Sequence, residues 1–152
     1  MGLDSEVVWR LVIAAALGAL FGLERSLAGK HAGMRTYALV SLGSALFTVE
    51  GVLASIQFAT FTAVSPLQLA GFVIVGIGFI GSGLAVFRGD HPVELTTASG
   101  IWVAAAIGVA AGFGYAALAV VATMLGILIF SVLARVERIL HIKFGDRYKG
   151  QE

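Results

Sequence analysis

Glu24-Arg25-Ser26-Leu27-Ala28-Gly29-Lys30-His31-Ala32-Gly33-Met34-Arg35-Thr36 is a dense charged island in a chain with little other charge. The stretches on both sides are apolar and long enough to cross a bilayer, which takes about 20 residues of helix. The island therefore belongs at a membrane surface, and the fold is to be read as helices running away from it.

Composition supports this reading. The 152 residues are 59% hydrophobic and 12% charged, with a mean hydropathy of +0.96. A soluble domain carries about 25% charged residues on its surface, so a soluble globule is excluded. There are no cysteines, which removes disulfide and thiolate chemistry. The first apolar run is not expected to be a signal peptide, because Asp4 and Glu6, not basic residues, precede it.

The expected fold is all-α, a membrane bundle of five transmembrane helices. The helices are expected at about Glu6 to Leu23, Thr36 to Gln57, Pro66 to Phe87, Leu95 to Ala111 and Tyr115 to Arg135. Pro66 suits a first helical position. Gly112-Phe113-Gly114-Tyr115 is read as a tight reversal, since otherwise the last two helices would be one run too long to span. The transmembrane domain is assigned to 1–135, and 136–152 to a short basic tail.

Basic residues set the expected orientation. Arg25, Lys30 and Arg35 lie in the first loop, Arg88 in the third, and Arg135, Arg138, Lys143, Arg147 and Lys149 in the tail. All fall on one side, so the N-terminus is expected outside and the C-terminus in the cytoplasm.

Small residues recur four apart: Ala14, Gly18 and Gly22 in the first helix, and Gly100, Ala104, Gly108 and Gly112 in the fourth. In lipid, small residues let helix backbones approach and gain dispersion contacts. Bundle packing is their expected role, and self-association through the fourth helix is a further option. Gly76-Ile77-Gly78-Phe79-Ile80-Gly81 matches the dinucleotide pattern, but it lies inside an apolar run with no acidic residue about 20 positions on. Helix packing accounts better for Gly76, Gly78, Gly81 and Gly83, which could also allow a kink. No nucleic-acid partner is expected.

Arg10 and Glu50 are the charges expected at membrane depth. Glu50 is about fourteen residues into the second helix, or about 21 Å from its charged end at the helical rise. An unpaired intramembrane charge costs roughly 2.5–3.5 kcal/mol or more, so the two are expected to form a structural ion pair, or a snorkelling arginine beside a protonated glutamate, with an ion or proton pathway as the alternative. In the island, positive charge alone could set topology, but that leaves Glu24, Gly29 and Gly33 unexplained. Arg35 opens a helix whose dipole disfavours a cation there. Glu24 is therefore expected to pair with Arg35 or Lys30, leaving Arg25 or another basic group for a partner or a phosphate.

Asp90, His91 and Glu94 with Glu24 offer carboxylates on one side, and magnesium needs one or two plus waters. A solvated loop is the simpler reading, and the identity of any metal stays open. No cofactor is expected. No Ser/His/Asp array, metal-ligand spacing or paired carboxylates suggests catalysis, so a non-enzymatic protein is expected.

Three ordered blocks resemble the signatures of the MgtC/SapB membrane family. The first is Gly22-Leu23-Glu24-Arg25, Lys30 and Ala32-Gly33-Met34-Arg35-Thr36, with Leu39-Val40 and Leu42-Gly43. The second is Gly76-Ile77-Gly78-Phe79-Ile80-Gly81-Ser82-Gly83. The third is Leu95-Thr96-Thr97-Ala98-Ser99, Ile101-Trp102 and Ala105-Ala106-Ile107-Gly108. The resemblance marks Glu24, Arg25, Lys30, Arg35 and Thr36 as the functional signature, and Thr96, Thr97 and Trp102 as that of the fourth helix. It implies a bacterial or archaeal inner-membrane protein linked to adaptation to low magnesium and, in pathogens, to survival inside host cells. It also implies action through other membrane proteins such as ATP synthase, in the lipid bilayer, with homo-oligomerisation open. The rival is a small transporter or channel for magnesium or another ion. The chain departs from the family pattern at Tyr37 (a histidine in the family), at Glu94 (a glycine) and at Ser65-Pro66-Leu67-Gln68. Val136 to Glu152 is too short to form the soluble domain some members carry after the fifth helix.

Overall fold

The computed structural model describes residues 4–59, 65–86 and 95–144, the side chains of 84–86 and 141–144 excepted. These residues form α1 (Ser5–Leu27), α2 (Met34–Gln57), α3 (Pro66–Val86), α4 (Leu95–Gly112), α5 (Ala116–Leu128), a π-helical turn (Ile129–Leu133) and α6 (Ala134–Phe144). No strand occurs among the described residues. Five helical stretches are long and apolar enough to cross a membrane, the last running from Ala116 through the π turn to Leu140. The five-helix membrane bundle expected from hydropathy is the fold.

Two boundaries move. α1 continues to Leu27, so Glu24 and Arg25 sit in its last turn rather than in a loop. A basic residue is favoured there by the helix dipole. The fifth span continues as helix to Phe144, so the tail starts as α6. The reversal at Gly112-Phe113-Gly114-Tyr115 is present: α4 ends at Gly112, and Gly114 has φ +86°. That left-handed conformation is open to glycine without a Cβ clash.

α4 is the central element, packed against α1, α2, α3 and α5. Its small residues allow this. A Cβ on Gly108 would lie 2.0 Å from the Ser41 carbonyl oxygen, and one on Gly112 would lie 2.7 Å from that of Ala45. α2 and α4 thus meet backbone to backbone. α1 meets α2 the same way, with Gly18 and Gly22 against the backbone of Tyr37 and Met34. The stripe Gly100, Ala104, Gly108 and Gly112 is buried inside the bundle, where it serves packing within the chain.

α3 is different. Its main packing among the described residues is on α2 and α4, and it runs without interruption through its glycines. A Cβ at Gly76, Gly78 or Gly83 would meet nothing within 4 Å, and one at Gly81 would make only ordinary contact with Ala98. Among the described residues close backbone packing is therefore made at Gly18, Gly22, Gly108 and Gly112, whereas Gly76, Gly78 and Gly83 bring no neighbour close.

Four hydroxyls in the core are bonded to backbone carbonyls. Ser41 Oγ donates to Ala14 O across the α1–α2 seam at 2.8 Å. Ser44, Thr48 and Thr123 donate to carbonyls one turn back, those of Val40, Ser44 and Ala119. Satisfying a hydroxyl this way removes the cost of burying it away from water.

Candidate functional site

The two ends of the bundle carry different chemistry. At one end Arg10, on α1, reaches the α4–α5 turn. Its guanidinium donates to Gly112 O at 3.2 Å and pairs with Glu6 one turn away. A cation at the C-terminus of α4 meets the negative end of the helix dipole and a carbonyl with no intrahelical partner. Glu50 is exposed and lies instead in a groove between α2 and α3 that Gly43, Gly51, Gly76 and Ile80 also line. The expected Arg10–Glu50 pair is therefore corrected. Arg10 is held by a local carboxylate and a helix end, neither of which depth along the chain reveals.

The opposite end gathers the island. Ser26, in the last turn of α1, accepts a hydrogen bond from the Met34 backbone N–H at 2.9 Å. This satisfies one of the first amides of α2, and a Cβ on Gly33 would lie 2.3 Å from that hydroxyl. Gly29 takes φ +67° just after α1, the left-handed residue common past a helix C-terminus. The two helix ends are thus tied by the sequence between them.

Arg25 is 5% exposed. Its Nε and Nη2 donate to both oxygens of Glu24, at 2.5 and 2.8 Å. Its guanidinium carbon lies 3.9 Å from the centroid of the Phe130 ring. Phe130 in turn stacks on Phe21 at 5.1 Å, and Phe21 meets Tyr37 edge to face at 5.4 Å. A bidentate carboxylate and a ring face are a favourable setting for a buried guanidinium. The expected pairing of Glu24 with Arg35 or Lys30 is corrected: Glu24 pairs with its neighbour Arg25, while Lys30 and Arg35 are exposed.

Phe130 belongs to the π turn. Such turns insert an extra residue into a helix and often occur at functional sites. The turn directs Phe130 onto α1 and α4, where a Cβ at Gly100 would lie 2.6 Å from its ring and 2.4 Å from the Tyr37 hydroxyl. That hydroxyl donates to Thr97 O at 3.3 Å, linking α2 to α4.

Around this cluster lies a cavity of about 1220 Å³. Glu24, Arg25, Lys30, Thr96, Thr97, Arg135 and Arg138 all line it. The structure thus brings together Glu24, Arg25 and Lys30 of the first block, the Thr96-Thr97 pair and the basic residues of α6. Thr36 is half-buried on α2 and Arg35 is exposed, neither lining the cavity; Trp102 is exposed on the outer face of α4. Sequence reasoning misses Ser26, Phe130, Arg135 and Arg138 as parts of this site. The last two have the sequence signature of topology signals, and only their helical continuation from α5 brings them here.

Arg88, Asp90, His91, Glu94, Arg147 and Lys149, and the side chain of Lys143, lie outside the described residues. Among the described residues no group of three or more His, Cys, Asp or Glu side chains could hold a metal ion.

The MgtC family profile matches residues 11–139. The chain is 36% identical over 132 residues to the putative magnesium transporter YhiD of Escherichia coli K12, covering 86% of this chain and 61% of that protein. It is 38% identical over 128 residues to protein MgtC of Salmonella typhimurium LT2, covering 84% and 52%. It is 34% identical over 116 residues to protein SapB of Bacillus subtilis 168, covering 74% and 50%. The aligned region is thus between half and about six-tenths of the length of these three relatives. None of these names is that of an enzyme. No solved structure matches significantly. The three signature blocks, the five spans and the family match agree: this multi-pass membrane protein belongs to the MgtC family.

Proposed function

We propose that the protein is a non-enzymatic component of a bacterial or archaeal inner membrane, acting in adaptation to low magnesium, stress or virulence by binding other membrane proteins, ATP synthase among them. The observation that carries this reading is the tight seam between α2 and α4. Ser41, Ser44, Thr48 and Thr123 spend their hydroxyls on backbone carbonyls, and α2 and α4 meet too closely for an ion to pass between them at Gly108 and Gly112. Meanwhile α3 presents an apolar outer face, with Phe72, Val75 and Phe79 exposed, to which a membrane partner has access.

The second reading, a magnesium or other ion transporter, is favoured by Glu50. This carboxylate is exposed in an α2–α3 groove of about 780 Å³, and the similar YhiD is named a putative magnesium transporter. The deciding experiment is magnesium flux in proteoliposomes of the purified chain, run beside crosslinking capture from native membranes. The expected result is flux no higher than in empty vesicles and a defined crosslinked partner. Saturable flux that Glu50→Gln removes would establish the transporter reading instead.

The orientation belongs to the same reading: N-terminus outside, C-terminus and basic end in the cytoplasm. A cysteine replacing Tyr115, exposed at the far turn, should react with an impermeant thiol reagent in intact cells. One replacing the exposed His31 should react only after permeabilisation. The reverse pattern would invert the topology.

A further inference from the structure

Among the described residues, the cavity at the basic end holds more basic than acidic side chains. Its described lining has four basic side chains, Arg25, Lys30, Arg135 and Arg138, against two acidic ones, Glu24 and Glu137. Arg25 and Glu24 satisfy each other. Lys30, Arg135 and Arg138 have no ion pair among the described residues. They arrive from separate parts of the chain, Lys30 from the α1–α2 connection and the two arginines from α6. Like charges brought to one cavity repel, and the low-dielectric protein and lipid beneath them strengthen that repulsion.

The rest of the lining is amphipathic. Phe21, Val103, Ile129, Phe130 and Leu133 contribute apolar surface, while Thr96 and Ser131 add hydroxyls. Arg135 and Arg138 are three apart on one helix and so share a face. Guanidinium groups match phosphate oxygens with paired, charge-assisted hydrogen bonds. We propose that this cavity is a binding site for a phosphate group, held by Lys30, Arg135 and Arg138 above the Arg25–Phe130 stack. The group could be that of an anionic phospholipid, whose chains would lie along the apolar lining, or a free phosphate. The proposal stands apart from the partner reading above, since it concerns only what occupies this cavity.

The test uses the full chain in a phosphate-free detergent, titrated in one arm with phosphatidylglycerol and in the other with inorganic phosphate. Bound adducts are counted by native mass spectrometry and melting is followed in parallel. Saturable binding is expected in at least one arm, and the arm that binds identifies the source. Each lost charge-assisted bond should weaken it by about tenfold or more, so Arg135→Gln and Arg138→Gln should each do so. Arg35→Gln removes an equal charge outside the cavity and should leave affinity unchanged. Ser99→Trp, which occupies the cavity without changing charge, should also weaken binding; if that variant does not fold, the arginine comparison decides. Binding in neither arm, or equal losses for Arg35→Gln and Arg135→Gln, would overturn the proposal, the latter because surface charge alone would then explain the affinity.

Discussion

Gly108→Val is expected to prevent the bundle from forming, leaving little folded protein in the membrane and no cooperative melt in detergent. The added Cβ would begin 2.0 Å from the Ser41 carbonyl oxygen, with the Ser41 carbonyl carbon and Cα also within 3 Å. Carbon atoms in contact need about 3.5–4.0 Å, so α2 and α4 would have to separate by roughly 1.5 Å or more. Overpacking a core usually costs about 1–3 kcal/mol because side chains can rotate away. Here the obstacle is backbone, which cannot. Separation would also loosen Gly112 against Ala45 on the same seam. In a bilayer, close packing is a main source of helix association, so this loss has no hydrophobic reserve behind it. Gly78→Val is the comparison: its Cβ would meet nothing within 4 Å, and membrane level and melting should stay close to those of the parent. Equal behaviour of the two variants would contradict the packing described here.

The second large effect is expected at Glu24. Glu24→Gln removes the negative charge that both Nε and Nη2 of Arg25 engage, leaving a guanidinium that is 5% exposed with a neutral amide oxygen and the Phe130 ring in place of a carboxylate. Breaking a buried ion pair by removing one partner costs about 3–5 kcal/mol. The Glu24 side chain is 20% exposed, which lets water in and places the expected loss near the lower end of that range. Arg25→Met should be of similar size, since it strands the carboxylate and removes the stack on Phe130. Combining Glu24→Gln with Arg25→Met should recover part of the loss, because no uncompensated charge then remains. Strict additivity in thermal melts would argue against the pair. The same cycle run with Glu24→Gln and Arg35→Gln should show no coupling, since Arg35 is exposed on α2 and is not the partner of Glu24.

Both effects bear on function through the same geometry. The Glu24–Arg25 pair and the Phe21 and Phe130 rings form one wall of the basic cavity, with Tyr37 packed behind Phe21, and α4 carries Thr96 and Thr97 into it. A bundle loosened at Gly108 would also misplace that wall. Variants meant to probe the cavity itself are better placed on Lys30, Arg135 and Arg138, whose exposed side chains are not part of the packed core.

Much of the site is legible in the residues themselves. The island between two apolar runs locates the charged end, because a bilayer forces charge to its surfaces. Thr97 and the Glu24-Arg25 pair stand out in the sequence and do lie at the cavity. Their partners are not legible. The start of α2 disfavours a cation, which points Glu24 towards Arg35 or Lys30, yet one more turn of α1 places Glu24 and Arg25 together on a helix facing Phe130. Arg10 and Glu50 agree in depth, but depth is one coordinate of three. The two residues have different neighbours, one on the α4–α5 turn and the other in the α2–α3 groove.

By itself the sequence determined the five spans, the reversal at Gly114 and the gathering of basic residues at one end. These depend on local hydropathy, turn chemistry and the thickness of lipid, all of which can be read along a line. Tertiary structure alone decided that α4 is central, that Gly108 and Gly112 rather than Gly76 and Gly78 bring backbones together, and that Arg135 and Arg138 complete a cavity with Lys30. The physical reason is that a membrane helix is apolar on the face that packs and on the face that meets lipid. Without a polar side to mark the outside, only the mutual fit of backbones and side chains decides which glycine faces a neighbour and which arginine finds a carboxylate.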